Sequence, residues 1–245
     1  MEKRCLVVVA HGDDETNGMG GTLIRLRNAG WAISIVYLTL PNGNEDHPRA
    51  QECIRSAEFI GARHFLANFE DGRLFDDIES RAFMALVYDN VQPTLVLALH
   101  GLDVHPDHRA ASALALGPAM QRGVNIEYFT CELCSSGRHT DADRPQTLGF
   151  FPTHYVDVSD IQLEVEEFQH CHTSQDPEAM VAGMARVHKN RAAESGVGQY
   201  AEGWVRLTRV GSLAPELQEI FLTSPLKLPR AIGIDFDPVT IGIET

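Results

Sequence analysis

Within its first forty residues the chain passes from an uninterrupted apolar run, through a polar turn and a helical stretch, to a second apolar run. Residues 5–10 are rich in β-branched side chains and lack polar alternation, which is typical of a strand buried on both faces. Residues 16–29 predict a helix that stops at Gly30, and residues 32–40 predict the next buried strand. This order predicts a right-handed βαβ unit in a parallel sheet.

The same alternation continues to about residue 130. It predicts further helices at 48–60, 77–90 and 107–120, and further strands at 64–69, 94–100 and 126–130. We therefore expect an α/β fold of Rossmann-like type, with a mostly parallel sheet and helices on both faces. The pattern then weakens, and we expect strands at 154–158 and 204–210 and helices at 160–172, 177–194 and 216–222.

The length of 245 residues suits one large core better than two domains. We expect a single domain, 1–245, with a core at about 4–130 and a lid or substrate region with further elements at about 131–222. Residues 135–152 are polar and predict a loop or lid, and residues 223–245 predict an extended tail.

Composition and charge argue against several kinds of partner. The 20 basic and 34 acidic side chains give a formal net charge of −14, which disfavours nucleic acid. No apolar run approaches the roughly 20 residues that span a bilayer, and the N-terminus has no signal-peptide pattern. The five cysteines are scattered and odd in number, which favours a reducing compartment, so we expect a cytoplasmic protein.

Chemistry-bearing side chains follow two of the predicted buried strands. Residues 10–15 (Ala-His-Gly-Asp-Asp-Glu) follow the first strand, and residues 105–108 (His-Pro-Asp-His) follow the strand at 94–100. Clustered carboxylates repel one another and lose hydration when buried, so a bound cation explains them better than packing does. If the two strands are neighbours, both clusters lie at the carboxyl edge of the sheet, where such folds bind ligands. Two imidazoles and one carboxylate with an open position would form a catalytic zinc site.

These motifs resemble those of the PIG-L/LmbE-like N-acetylglucosamine deacetylases. The first motif of that family, Ala-His-Pro-Asp-Asp-Glu, is matched at residues 10–15 except that Gly12 replaces the proline. The other matches, in chain order, are Gly-x-Gly-Gly-Thr-Leu at 18–23, Arg-x-x-Glu at 49–52, Asp-Gly-x-Leu at 71–74, His-Pro-Asp-His at 105–108, His-x-Ser-Gln at 172–175 and Tyr-Ala-Glu-aromatic at 200–204, with Gly203 inserted before Trp204. Each motif alone is weakly specific, but their common order over about 200 residues is highly specific.

The resemblance implies a zinc-dependent hydrolase that removes an N-acetyl group from an N-acetylglucosamine-type sugar or glycoconjugate, releasing acetate and a free amine. It implies that His11, Asp14 and His108 hold the zinc ion. Asp13 would be the general base that activates the metal-bound water.

The resemblance also assigns roles around this centre. His105 would be a protonated imidazole that stabilises the oxyanion and protonates the leaving amine, and Asp107 would orient His105 and raise its pKa. Arg49 would lie near substrate hydroxyl or phosphate groups, and Asp71 would bind sugar hydroxyls. Family members often form trimers or hexamers, so we expect a homo-oligomer. Glycine at position 12 predicts a looser loop with an intact site.

Other interpretations stay open at this point. A zinc amidase of the same fold acting on a non-sugar or thiol-conjugated amide is one, and a metal-stabilised sugar-binding protein is another. A receiver-like magnesium pocket would explain neither His11 nor the second motif, and a dinucleotide site lacks its third glycine because position 23 is Leu. Cys131 and Cys134 have metal-ligand spacing but no second pair.

Overall fold

The chain alternates between strands and helices wherever the computed structural model describes it, at residues 2–122, 126–133, 149–207 and 212–224. The strands of this part are β1 (Arg4–Val9), β2 (Ala32–Leu40), β3 (Arg63–Glu70), β4 (Leu95–Leu99), β5 (Glu127–Cys131), β6 (His154–Asp157) and β7 (Ala201–Arg206). The helices are α1 (Asp14–Asn28), α2 (Pro48–Phe59), α3 (Ile78–Val91), α4 (Pro106–Gln121), α5 (Gln162–Gln169), α6 (Pro177–Ser195) and α7 (Pro215–Gln218).

All of these strands belong to one sheet, in the order β3-β2-β1-β4-β5-β7-β6. Strands β1 to β5 are parallel, whereas β7 runs antiparallel to both β5 and β6. The predicted α/β fold with a mostly parallel sheet is therefore confirmed. The order of the strands reverses between β1 and β4, and ligands bind beyond the carboxyl ends of the strands at such a switch point.

Helices cover the sheet in two groups. Helix α1 packs against α5 and α6, whereas α3 packs against α4. Because βαβ crossovers are right-handed, connections that turn in opposite directions from the switch point leave their helices on opposite faces. The central strands are accordingly apolar and closed to solvent, and every residue from Cys5 to Val9 is fully buried.

Helix α1 is interrupted at Met19, whose backbone is not helical (φ −149°). The amides that follow the interruption are capped from β7: Glu202 accepts hydrogen bonds from the N–H groups of Gly21 (2.7 Å) and Thr22 (2.8 Å). A Cβ on Gly21 would lie 2.3 Å from Cγ1 of Val158, so only glycine allows this approach. The Tyr-Ala-Glu segment thus fastens β7 to the second half of α1.

The second half of the chain departs from the predicted boundaries. Strand β7 begins at Ala201 instead of 204, and the helices predicted at 160–172 and 216–222 are shorter, at Gln162–Gln169 and Pro215–Gln218. Cys134, most of the loop predicted at 135–152 and the tail from residue 225 onward lie outside the described residues. None of the helices described is long and apolar enough to span a bilayer.

Candidate metal centre

The turn after β1 directs two side chains into the crevice at the switch point. Asp14 is the first residue of α1. Its Oδ2 accepts hydrogen bonds from the backbone N–H groups of Ala10 (3.1 Å) and His11 (2.8 Å). The Asp14 carboxylate is therefore folded back over the end of β1, where it lies buried beside the His11 ring.

The first turn of α4 supplies the facing side chain. Pro106 begins the helix, where its fixed φ suits the first position, and His108 follows in the same turn. Because β1 pairs with β4, the two histidine motifs meet as predicted: Nδ1 of His11 lies 3.1 Å from Nε2 of His108.

Ligand atoms of three residues converge at this point. Nε2 of His108 lies 3.4 Å from Oδ1 of Asp14, and Nδ1 of His11 lies 3.6 Å from Oδ2 of Asp14. A tetrahedral zinc ion with nitrogen and oxygen ligands at about 2.0–2.2 Å spaces those ligand atoms by roughly 3.4 Å. The spacing of these atoms is compatible with a zinc-sized ion held by His11, Asp14 and His108, and this ligand set stays a prediction.

The remaining ring nitrogens of both histidines face carboxylates. Nδ1 of His108 lies 3.0 Å from Oδ1 of Asp103, and Nε2 of His11 lies 3.2 Å from oxygens of both Asp71 and Asp107. A ring nitrogen that faces a carboxylate carries the proton, which leaves the opposite nitrogen as a lone-pair donor. The two nitrogens that face each other across the crevice lie farther from a carboxylate, at 3.4 and 3.6 Å from Asp14, and would bind the ion through their lone pairs. The outer carboxylates and the distances thus favour the same pair of ring nitrogens.

The charge balance of the cluster also favours a cation. Burial lowers the pKa of His11, but its bonds to Asp107, Asp14 and Asp71 outweigh burial and raise that pKa to about 12. The carboxylates around His11 therefore favour a positive charge beside them. Either a proton on His11 or a divalent cation can supply that charge. Two further groups of side chains that share His11 have potential ligand atoms within 4.8 Å of one another. One group is His11, His105 and His108, and the other is His11, Asp71 and Asp107.

The Asp-Gly-x-Leu turn is fastened to the second motif. The N–H groups of Gly72 (2.6 Å) and Leu74 (3.1 Å) donate to the two carboxylate oxygens of Asp107. These bonds hold Asp71 beside His11. The sequence predicts Asp71 near the site. It does not predict that the backbone N–H groups of the same turn donate hydrogen bonds to Asp107.

The relationship between Asp107 and His105 differs from the prediction. The Asp107 carboxylate meets His11 and the turn amides, and it is the backbone N–H of Asp107 that donates to Nδ1 of His105 (3.2 Å). Burial, together with the charges of His108 and His11, lowers the pKa of His105, and the opposing effect of Asp107 is smaller. Nδ1 of His105 is therefore an acceptor, which leaves the ring proton on Nε2.

Asp13 stands at the edge of the metal centre, where its carboxylate is mostly buried. Burial, and then the neighbouring Asp14, raise the pKa of Asp13 to about 6, while Arg49 opposes the rise. A carboxylate with a pKa near the working pH is suited to accept a proton from water. The pKa of Asp13 therefore suits a general base, and that role stays a prediction.

Arg49 lies between two of the predicted site carboxylates. Its Nη2 is 3.6 Å from Oδ1 of Asp13, and its Nη1 is 3.5 Å from Oδ2 of Asp71. Nη2 also donates to the carbonyl oxygen of Gly12 (2.9 Å). The two predicted substrate contacts, Arg49 and Asp71, are therefore brought together at one side of the crevice.

Sequence reasoning missed three residues of this region. The sequence analysis gives Asp103 no role, although an acidic residue two positions before His105, in the loop that follows β4, is a usable signal. Glu15 and His172 were seen only as motif members, and the structure joins them: Nε2 of His172 lies 2.8 Å from Oε1 of Glu15. Their separation of 157 positions along the chain explains why the local sequence pattern does not reveal the contact.

Comparison with known proteins gives one family. The family model described as GlcNAc-PI de-N-acetylase (PIG-L) matches residues 6–117. A diacetylchitobiose deacetylase of Thermococcus kodakarensis is 30% identical over 196 residues, which cover 72% of this chain and 71% of that protein.

Solved structures share the fold. A conserved protein of Thermus thermophilus is similar with a TM-score of 0.69 and 27% identity, over 87% of this chain and 98% of that one. GalB, a 4-carboxy-2-hydroxymuconate hydratase of Pseudomonas putida, has the same TM-score at 18% identity, over 87% of this chain and 99% of that one. Because a hydratase also has this fold, the reaction has to be argued from the side chains of the site.

Proposed function

The chain belongs to the PIG-L family of de-N-acetylases, and we propose that it is a zinc-dependent hydrolase that removes the acetyl group from an N-acetylglucosamine-type sugar or glycoconjugate. The observation that carries this proposal is the convergence of His11, Asp14 and His108, with Asp13 and His105 beside them at the switch point. A metal-stabilised binding protein needs only the first three residues, whereas hydrolysis also needs a base and an acid.

The proposed reaction adds water across the amide bond and gives acetate and a free amine. When bound, zinc supplies a Lewis acid that polarises the amide carbonyl and lowers the pKa of water. Asp13 accepts the proton of the attacking water. Because the lowered pKa of His105 leaves its ring neutral, its Nε2–H would stabilise the oxyanion as a hydrogen-bond donor. The leaving nitrogen takes the proton that Asp13 accepted from water, as its bond to the acetyl carbon breaks. Asp107 positions His105 through its backbone N–H.

Substrate contacts are proposed at the other side of the crevice. The guanidinium of Arg49 and the carboxylate of Asp71 offer a donor and an acceptor for sugar hydroxyls. Each is partly exposed, so a hydroxyl can replace their long contact of 3.5 Å. A homo-oligomer, as a trimer or hexamer, and a cytoplasmic location stay predictions, as does the single-domain organisation.

The proposal is tested by acetate release from N-acetylglucosamine, diacetylchitobiose and an N-acetylglucosaminyl conjugate. We expect release that a chelator abolishes and zinc restores. An Asp13→Asn variant should keep one metal ion per chain and lose activity by a factor of about 10² to 10⁴. Metal binding without acetate release from any of these sugars would contradict the proposed function. Release of a different acid from a non-sugar amide would support the amidase alternative.

A further inference from the structure

The peptide unit that joins Gly12 to Asp13 is held at both ends by opposite charges. Its carbonyl oxygen accepts a hydrogen bond from Nη2 of Arg49 (2.9 Å), and its N–H donates to Oε2 of Glu15 (3.1 Å). A peptide unit is planar, so these two bonds together fix its rotation about the chain.

The orientation held in this way is one that an L-residue rarely adopts. Asp13 has φ +121°, far outside the common regions for a residue with a Cβ. The next peptide unit is fixed as well, because the carbonyl oxygen of Asp13 accepts from the hydroxyl of Thr16 (3.0 Å) and the N–H of Asn17 (2.9 Å). The unusual φ angle therefore lies between two anchored planes, and it sets the direction of the Asp13 carboxylate.

Glu15 is held in turn by a buried set of donors. Its Oε1 accepts from the hydroxyls of Tyr37 (3.0 Å) and Ser56 and lies 2.8 Å from Nε2 of His172. The side chains of Glu15 and His172 are closed to solvent. Water cannot replace these bonds, so the position of the Glu15 carboxylate depends on its protein partners.

His172 is fixed by the 3-10 turn at Thr173–Gln175, which is fastened to α2. Glu52 accepts from the Thr173 hydroxyl (2.9 Å) and from both the N–H (2.9 Å) and the hydroxyl (2.7 Å) of Ser174. A continuous set of bonds therefore runs from α2 through this turn to His172, Glu15 and the N–H of Asp13.

We propose that Glu15 and His172 are positioning residues that, with Arg49, hold the Gly12–Asp13 peptide in its strained orientation and so aim the Asp13 carboxylate at the reacting water. This inference rests on the proposed function, since it concerns the same general base. Without Glu15 the peptide turns toward a common φ at Asp13, and the carboxylate swings away from the metal centre.

The test compares variants of the full-length, metal-loaded protein. Glu15→Gln, His172→Leu and His172→Gln are measured for kcat, KM and bound metal. Glutamine at position 172 can still offer an N–H to Glu15, whereas leucine cannot. The matched control is His188→Leu, because His188 is a buried histidine on α6 whose ring nitrogens have no hydrogen-bond partner among the described residues.

We expect Glu15→Gln and His172→Leu to lower kcat by about 10- to 100-fold, with KM within about twofold and one metal ion per chain. We expect His172→Gln to recover most of the loss and His188→Leu to leave kcat unchanged. Equal loss of kcat in His188→Leu and His172→Leu, or an unchanged kcat in Glu15→Gln, would overturn the proposal.

A crystal structure of Glu15→Gln gives a readout that does not depend on activity. We expect the Gly12 carbonyl to point away from Arg49 and φ of Asp13 to become negative. An unchanged peptide orientation would overturn the inference even if kcat falls. If the wild-type protein releases no acetate but the peptide turns as expected, the proposed function fails while the positioning of Asp13 stands.

Discussion

Gly12 and Cys53 share a space that has no room for a further atom: a Cβ on Gly12 would lie 2.3 Å from the Cys53 sulfur. Gly12 is buried, and Cys53 projects from α2, the helix that also carries Arg49. The glycine that departs from the proline of the resembling family is therefore explained by lack of space. The contacts of its peptide with Arg49 and Glu15 do not indicate the loose loop that a glycine predicts.

This relationship predicts that substitutions at positions 12 and 53 are coupled. Gly12→Ala should lower the free energy of unfolding by about 1–3 kcal/mol, because the new methyl group overpacks a closed site. In a Cys53→Ala background the sulfur is gone, and the same substitution should cost clearly less. Urea unfolding of the wild type, both single variants and the double variant measures the coupling. Additive costs would show that the two positions do not share the space.

Asp103 is predicted to tune metal affinity through His108. Asp103→Asn removes the negative charge 3.0 Å from Nδ1 of His108. The His108 ring is then oriented less firmly, and its Nε2 becomes a weaker metal ligand. We expect metal affinity to fall by about 10- to 100-fold. Competition with a chromophoric chelator measures this change. Asp89→Asn, an exposed carboxylate paired with Arg122, is the control and should bind metal as the wild type does.

Much of the first half of the fold follows from sequence because β1, β2 and β4 are buried on both faces and because α1 and α2 end just before Gly30 and Gly61. The run at 32–40 coincides with β2 for this reason. The sequence pattern predicts the start of β7 three residues too late, because Glu202 and Gly203 interrupt its apolar residues. Glu202 is tolerated there only because α1 breaks at Met19 and offers two amides, which no local pattern reveals.

The candidate metal ligands could be predicted for a related reason. His11 and Asp14 lie in one turn, and His108 follows a strand whose place beside β1 is the usual one for a parallel sheet. Short sequence motifs are therefore enough to predict these three ligands. The partners that orient them come from distant segments, as Glu15 and His172 do, and their pairing depends on the packing of α2 against the 3-10 turn.

Arg49 is predicted to set the pH dependence through Asp13. Burial and then Asp14 raise the pKa of Asp13 to about 6, and the Arg49 cation lowers it. A base must be deprotonated to act, so kcat/KM should fall on the acid side as Asp13 takes up a proton. Removing the cation in Arg49→Gln should move this acid limb to higher pH. Arg55→Gln, on the same helix but half exposed, should leave it in place, and a shift to lower pH in Arg49→Gln would contradict the assignment.

Glu202 is predicted to make stability depend on pH. Burial raises its pKa from 4.5 to about 7, although the hydroxyl of Thr22 and the amides of Gly21 and Thr22 oppose the rise. Between these two values the folded chain keeps a proton that the unfolded chain loses. Its contribution is therefore fully present below pH 4.5 and is lost as the pH rises through about 7. The difference between the two pKa values corresponds to about 3 kcal/mol.

Substitution of Glu202 isolates this contribution from those of other groups. His188, 3.8 Å away, has the opposite effect, because burial lowers its pKa to about 4 and its contribution is lost on acidification. Urea unfolding at pH 5 and pH 8 should show that Glu202→Gln removes the part of the decline that Glu202 causes. Glu178→Gln, an exposed residue of α6, should follow the wild-type curve. A Glu202→Gln curve parallel to the wild type would mean that the carboxylate is already ionised in the folded chain at pH 5, held by its three donors.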